Sequence, residues 1–336
     1  MRSLVTGVAG FIGSHVADEL LKLGHTVLGI DDYSGGFHEN LMPHVTCWGG
    51  DITKPDVVKE MFGYGPFDYV FHCAAYAAEG LSHFIRRYNY ANNLIGSVNL
   101  INAAVNQQPM VKRFVFLSSI AVYGDAQPPF READIPRPID PYGIAKWAVE
   151  MDLAAASRMF GLDFTIFRLH NVYGERQNVG DPYRNVIGIF MNKILRGEPL
   201  PIFGDGQQVR AFTYIGDVAP EIAASADDRR AANETFNLGS DTSCTVFDLA
   251  CKVMITMLGR ADHPLECLPH REEAREAYCD HSKAKWLLHT DCTTTLEDGL
   301  ARMAKWVHGQ KLRQSKPFEG IEVELHLPPS WKKVIA

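Results

Sequence analysis

The sequence has no CxxC pair, no block of lysine or arginine, no apolar run long enough for a bilayer, and neither an internal repeat nor a low-complexity tract. Each absence excludes a class. The seven cysteines, at 47, 73, 244, 251, 267, 279 and 292, are odd in number and irregularly spaced. That reads as reduced, mostly structural thiols of a cytoplasmic protein, not as a disulfide frame or a metal site. A net charge of -7 without a basic cluster repels polyphosphate backbones, so nucleic acid is not the expected partner. No stretch reaches the roughly 18 apolar residues of a membrane span. Met1–Gly13 resembles a signal peptide superficially. Ser14, His15, Asp18 and Glu19 follow at once, so a buried strand running into a helix accounts for it better. The balance, 46% hydrophobic and 22% charged over 336 residues, is that of a globular protein with one large core or two unequal domains.

What is present is alternation. Ser3–Thr6, Thr26–Asp31, Val45–Trp48, Tyr69–Ala74 and Arg113–Ser118 are short apolar runs that read as strands. Between them, Phe11, Val16, Leu20 and Leu23, and later Leu94, Val98, Leu100, Ile101 and Val105, recur near the helical period. A helix is expected after Pro141 through Phe160, stopped by Gly161, then a strand over Asp163–Leu169. Continuous apolar strands alternating with helices predict an α/β, doubly wound parallel sheet covered on both faces. After Asn171 glycine, proline and asparagine become frequent around a helix at Val186–Leu195, and Phe236–Leu238 reads as a return to the sheet. We therefore expect a dinucleotide-binding domain over 1–172, with a return near 208–250. A smaller, discontinuous substrate-binding domain is expected over 173–207 and 251–325. The tail after Gly309 is poorly periodic.

Gly7-Val8-Ala9-Gly10-Phe11-Ile12-Gly13 sits between a strand and a helix. Glycines there let the backbone approach a pyrophosphate, and the helix N-terminus faces the anion with unpaired N–H groups. The next strand ends at Asp31, near the spacing of an acid that accepts both adenosine ribose hydroxyls and repels a 2′-phosphate, which selects NAD over NADP. The plainer reading of Asp31 is a solvated turn, since Asp32-Tyr33-Ser34-Gly35-Gly36 follows. Asp51-Ile52, after the third strand, could flank the adenine. Tyr142 and Lys146 lie four apart, on one helical face. A phenol is a poor base near neutrality unless a neighbouring cation favours its phenolate. Ser118 and Ser119 close the fifth strand, where a parallel sheet opens its ligand crevice. The plainer reading of either serine is a turn cap.

Together these residues resemble the extended short-chain dehydrogenase/reductases that act on nucleotide sugars, most of all the UDP-glucose (UDP-galactose) 4-epimerases. The resemblance spans roughly residues 1–310 and includes His72-Cys73-Ala74-Ala75, Asn93-Leu94-Ile95-Gly96-Ser97, Ser118–Gly124 and Arg168–Gly174. It implies a Rossmann fold, bound NAD, a UDP-linked sugar as substrate and a homodimer built on the helices Asn93–Asn106 and Tyr142–Phe160. It implies Ser119 as the catalytic hydroxyl, Tyr142 as the base and Lys146 as the ligand of the nicotinamide ribose. Around the cofactor it implies Gly7, Gly10, Phe11, Ile12, Gly13, Asp31, Asp32, Asp51, Ile52, Ala74, Ala75, Asn93, Ser118 and Leu169. Asn171 and Asn185 fall where the family contacts the sugar nucleotide, Phe203 where it stacks on uracil, and Arg210 where it binds the diphosphate. Arg271 corresponds to a second diphosphate contact, with Arg275 as a rival because the spacing to Tyr278 and Asp280 is one residue short.

Two departures carry information. Ile120-Ala121 follows the serine where the family's 4,6-dehydratases carry Asp-Glu to eliminate water, so elimination is not expected. The loop after Ala75 reads Tyr76-Ala77-Ala78-Glu79-Gly80, unlike many epimerases, which leaves the sugar open. Ala277 corresponds to the position that gates room beside the sugar. Its small side chain implies tolerance of bulk at C2, unless Tyr76 or Tyr278 fills the space.

Overall fold

The computed structural model describes residues 1–270, 273–310, 315, 318–329 and 331. The chain opens with β1 (Arg2–Thr6), α1 (Phe11–Lys22), β2 (Thr26–Asp31), β3 (Thr46–Gly49), α2 (Pro55–Gly63) and β4 (Tyr69–His72). Two short helices, α3 (Glu79–Ser82) and α4 (Arg86–Tyr90), and a wide π turn over 91–95 lead into α5 (Gly96–Asn106). Then come β5 (Arg113–Ser119), α6 (Pro141–Phe160) and β6 (Phe164–Leu169). Helix α6 has sharp ends because the Asp140 carboxylate accepts from the Gly143 amide at 2.9 Å and Gly161 takes a left-handed φ of 76°.

Strands β1 to β6 pair in parallel in the order β6-β5-β4-β1-β2-β3. The expected strand over 236–238 is one turn of pleat longer, β11 (Glu234–Leu238), and joins β6 to complete a seven-stranded parallel sheet. The strands are apolar throughout because both faces are covered. One core holds Leu4, Val70, Phe114 and Leu153, and the other holds Val5, Leu20, Phe71 and Phe167. Order reverses between β1 and β4, and the crevice at their carboxyl ends is where such sheets bind ligands.

The remaining elements are short: β7 (Val172–Tyr173), α7 (Val186–Leu195), β8 (Leu200–Phe203), β9 (Val209–Ala211), β10 (Thr213–Tyr214) and α8 (Ile215–Ala224). After β11 come β12 (Ser243–Thr245), α9 (Val246–Leu258), β13 (Leu265–Leu268), β14 (Glu276–Ala277), α10 (Ser282–Leu288) and α11 (Leu296–His308). Strand β9 lies between β12 and β14, while β8 pairs with β13, so the second half hangs small sheets over the crevice. Their apolar residues, such as Ile202, Phe212 and Met254, continue the core that lies under α1.

Candidate active site

A cleft of about 670 Å³ runs across the carboxyl end of the sheet and is lined by both halves of the chain. At one end the Gly7–Gly13 loop turns from β1 into α1. Gly7 has φ +67°, and a Cβ placed on it would stand 2.8 Å from Ala74 Cα. On Gly13 it would stand 2.1 Å from the Gly7 carbonyl oxygen. No larger residue fits either place, so bare backbone faces the cleft and α1 begins without a side-chain cap at Gly10. That is a cradle for a pyrophosphate. Phe11, Ile12, Ala74, Ala75, Ile52 and Leu169 line the same end.

Asp31 closes β2 and is 7% exposed. Its carboxylate accepts from the Ala9 amide at 2.9 Å and the Tyr33 amide at 2.8 Å, which aims it across the glycine loop. Burial raises its pKa, against the pull of these amides. Lone pairs left over can accept ribose hydroxyls. Asp32 also lines the cleft, its carboxylate accepting from Ser34. Asp51 is placed differently. Its carboxylate accepts from the Thr53 amide at 2.8 Å, and the neighbours Gly50 and Ile52 line the cleft in its stead. Asn93 acts at one remove. It is buried, exchanges two hydrogen bonds with the Tyr76 backbone and donates to Asn89 at 2.7 Å, so it pins the loop after β4.

Ser119, Tyr142 and Lys146 meet in the middle of the cleft. Tyr142 and Lys146 are one turn apart on α6, with the Lys146 Nζ 5.7 Å from the Tyr142 ring centre. Lys146 donates to the Leu117 carbonyl at 2.7 Å. Burial pushes its pKa down to about 7, against the opposing pull of Cys73 and Glu150. Burial likewise raises the Tyr142 phenol, while a hydrogen bond with Ser119 opposes that rise. Ser119 also accepts from the Ala121 amide at 3.1 Å, so the turn cap and the contact to Tyr142 coexist. Ser118 is committed elsewhere. Its hydroxyl bonds the Glu150 carboxylate, which Arg168 grips at 2.6 Å.

The residues expected to meet a sugar nucleotide also lie in the cleft wall. Asn171, Asn185, Phe203 and Arg210 line it, and both asparagines have left-handed backbones, with φ 40° and 66°. The Asn171 amide donates to the Ala211 carbonyl at 2.9 Å. Arg210 donates to the Ala274 carbonyl at 2.7 Å and pairs with Glu273 at 3.1 Å. Arg275 turns away to Asp205 at 3.2 Å and is not part of the cleft lining, while Arg271 lies outside the described residues. Ala277 lines the cleft on β14, beside Arg210 on β9. Tyr76 lines it too, under the Arg184 guanidinium at 5.3 Å.

Three features of this wall were not picked out from the sequence. Arg184 is a further cleft cation beside Lys146 and Arg210, held by Asp181 at 2.7 Å. Glu79 opens onto the cleft from the first turn of α3. Glu79 is solvent-exposed at the cleft, and desolvation of its carboxyl by the surrounding chain, then the charge of Asp140, raise it to about 7. A chain of His170, His281 and Asp241, with contacts of 2.9 and 2.6 Å, braces the segment that carries Asn171. Among the described residues there is no metal-binding cluster and no helix long and apolar enough to cross a membrane.

The model of the NAD dependent epimerase/dehydratase family matches residues 3–239. An uncharacterised UDP-glucose epimerase of Bacillus subtilis is 33% identical over 311 residues, covering 89% of this chain and 96% of that protein. A UDP-N-acetyl-alpha-D-glucosaminuronate decarboxylase of Bacillus cytotoxicus is 32% identical, covering 91% and 97%. The crystal structure of a UDP-glucose 4-epimerase from Thermotoga maritima with UDP-glucose superposes with a TM-score of 0.85 at 36% identity, covering 92% of this chain and 99% of that one. Near-equal likeness to an epimerase and a decarboxylase leaves the reaction to be argued from the site. With the glycine turn, the Asp31 carboxylate and the Ser119–Tyr142–Lys146 cluster in one cleft, the chain belongs to the NAD-dependent nucleotide-sugar epimerase/dehydratase family, and is an enzyme that takes NAD as its cofactor.

Proposed function

We propose that the protein inverts C4 of a nucleoside-diphosphate hexose, a UDP-hexose, through a transient 4-keto sugar that is re-reduced on the opposite face. The observation that carries this reading is the meeting of Ser119, Tyr142 and Lys146 in a cleft where Ile120-Ala121 stands in place of an acid pair. Tyr142 takes the C4 hydroxyl proton as its phenolate and gives it back on the return step. Ser119 holds the same oxygen by a hydrogen bond. Lys146, as a cation beside the ring, favours the phenolate and holds the nicotinamide ribose. NAD, when bound, supplies the hydride acceptor and donor. It is held by Gly7, Gly10, Gly13 and Asp31, with Asn93 and Asp51 shaping the loops around it. Asn171, Asn185, Phe203 and Arg210 anchor the nucleotide while the sugar turns over. In this reading the cofactor lies on residues 1–172, with a return near 208–250, and the sugar nucleotide on 173–207 and 251–325. The working form is a cytoplasmic homodimer.

Glu79 favours a second reading. A carboxyl group raised toward neutrality in the cleft that holds Tyr142 is suited to donate a proton to a leaving hydroxyl, which would make the enzyme a dehydratase of unusual type. Decarboxylation of a uronic acid sugar through the same 4-keto intermediate is the third outcome to be separated. Incubation with a panel of UDP- and dTDP-sugars, resolved by NMR, separates the three. C4 epimers are expected. A 4-keto-6-deoxy product abolished by Glu79→Gln would replace epimerisation with dehydration, and a pentose product would mean decarboxylation.

A further inference from the structure

The C-terminal segment has no counterpart in the chemistry described so far. The Thermotoga maritima epimerase is matched over almost its whole length yet leaves 8% of this chain uncovered, a share the size of the segment after Gly309. The described residues of that segment, Ser315, 318–329 and Trp331, lie across two loops that line the cleft.

One loop follows β4 and contributes Tyr76, Glu79, Gly80, His83 and Tyr88 to the cleft wall. Glu322 holds it at three points. Its amide donates to the Phe84 carbonyl at 2.7 Å. Its carboxylate accepts from the Arg87 amide at 2.9 Å and the Tyr88 amide at 3.0 Å, capping α4. The other loop precedes α7 and contributes Asn178, Pro182, Tyr183, Arg184 and Asn185. Ser315 bonds the Asn178 side chain at 2.9 Å and the Gly180 carbonyl at 3.3 Å, and the Phe318 amide donates to the Tyr183 hydroxyl at 3.2 Å.

Between these bonds runs an apolar seam. Leu327 and Trp331 are buried against Ala78, Leu81, Ile85 and Tyr183. Trp331 sets its ring edge-on to Phe84 at 6.0 Å and to Tyr183 at 5.4 Å, and it lines the cleft. Phe318 packs on Tyr88 at 4.8 Å and Tyr76 at 5.5 Å. Gly80 lies against the same ring, a Cβ built there falling at contact distance, 3.4 Å, from Trp331.

We propose that the C-terminal segment is a built part of the sugar pocket: it straps the Tyr76–Tyr88 loop to the Asn178–Asn185 loop and closes the outer wall with Trp331. The residues of the strap are positioning residues. They fix where Tyr76, Glu79, Arg184 and Asn185 stand, and these meet the substrate. The first loop is anchored at its inner side, where Ser82 accepts from the Tyr142 amide at 3.3 Å and Asn89 donates to the Pro141 carbonyl at 2.8 Å, and the strap is what ties its outer side to the second loop. The glycine cradle, Arg210 and Phe203 lie outside its reach. The inference rests on the reading of the cleft as a nucleotide-sugar site.

The test compares the full chain with one ending at Gln310, and with Trp331→Ala and Glu322→Gln in the full chain. Amide hydrogen exchange needs no substrate. Faster exchange over 76–90 and 178–185 in the truncated chain, with NAD affinity retained, is expected, and unchanged exchange overturns the strap. Turnover reads the pocket. Since small misplacements at a site are costly, KM for the UDP-hexose should rise about tenfold or more while the affinity for UDP alone holds. A KM within about twofold of the full chain overturns the role in the pocket. If the truncated chain does not fold, the two point variants decide, with the same signs. A full chain that turns over no nucleotide sugar would count against the proposed reaction, and exchange would still decide the strap.

Discussion

Ser118 and Ser119 are neighbours with opposite fates. Alternation along β5 turns one hydroxyl to the buried Glu150–Arg168 pair and the other to the cleft. Tyr142 stands one turn before Lys146 on α6, so the cleft offers a hydroxyl, a phenol and an amine to one point. Tyr142→Phe removes the base and keeps the ring that packs there. Turnover should fall about 10²–10⁴-fold, the usual scale of a lost general base, with NAD affinity unchanged. Single-turnover rates near those of the wild type would remove Tyr142 from the role. Glu79 carries a pH signature of its own. Its carboxyl is raised from 4.5 to about 7 by desolvation and by Asp140. Between those values the folded chain keeps a proton that the unfolded chain has lost. The stability tied to it is therefore full below 4.5 and is lost as pH rises through 7. Glu79→Gln stays neutral, so its Tm should gain on the wild type between pH 5 and 8. Lys146, whose lowered value acts in the opposite sense, is common to both chains and cancels. A difference in Tm that does not change with pH would show that Glu79 is charged throughout. The Tyr142–Lys146 pair and the glycine loop were legible because each is local, a spacing of three to six residues with a mechanism attached. Glu79 was not, because its character comes from Asp140, 61 positions away.

Elements were legible to the extent that they are long and buried. β2, α6 and α7 fall where periodicity placed them, and α6 ends at the glycine that was read as its stop. Tyr69–Ala74 proved two residues too long as a strand, since the chain leaves β4 after His72 so that Ala74 can meet Gly7. The two- and three-residue strands β7, β9, β10 and β14 leave no period to read, and their partners lie up to 67 positions apart, as with Val209 and Glu276. The tail was illegible for a similar reason. Its residues pair with loops at least 135 positions away, and only the fold brings them together. At this scale the junction of β1 and α1 gives the sharpest test. A Cβ on Gly13 would stand 2.1 Å from the Gly7 carbonyl, which no rotamer change relieves because both atoms are backbone. Gly13→Ala should therefore push α1 off the strand. The expected cost is about 1–3 kcal/mol of stability, as for other overpacked sites, together with loss of measurable NAD binding. Calorimetric titration with NAD reads this directly, and wild-type affinity would mean that the loop does not need this close approach.

For the whole molecule the question is what covers α6. Its inner face packs on the sheet, yet Ile144, Met151, Met159 and Phe160 are 40%, 53%, 75% and 55% exposed. Ile144 and Met151 are seven residues apart and share a face, with Ala148 and Ala155 between and beyond them at helical spacing. Helix α5 packs beside α6, and Ile95, just before α5, is 49% exposed. These exposures are found with the described part of the C-terminal segment already laid across the cleft loops, so that part is not the cover. Contiguous apolar surface of this kind marks an interface. A two-fold axis across α5 and α6 would bring two helices of each copy together and bury the stripe against its own twin, as an isologous contact requires. We therefore expect two chains per particle at micromolar concentration. Met151→Lys places a charge at the centre of the stripe and touches nothing in the monomer core, so it should give folded single chains with NAD affinity preserved. Sedimentation equilibrium on the two proteins decides. A wild-type mass of one chain sinks the dimer. A dimer that Met151→Lys leaves intact moves the interface off α6.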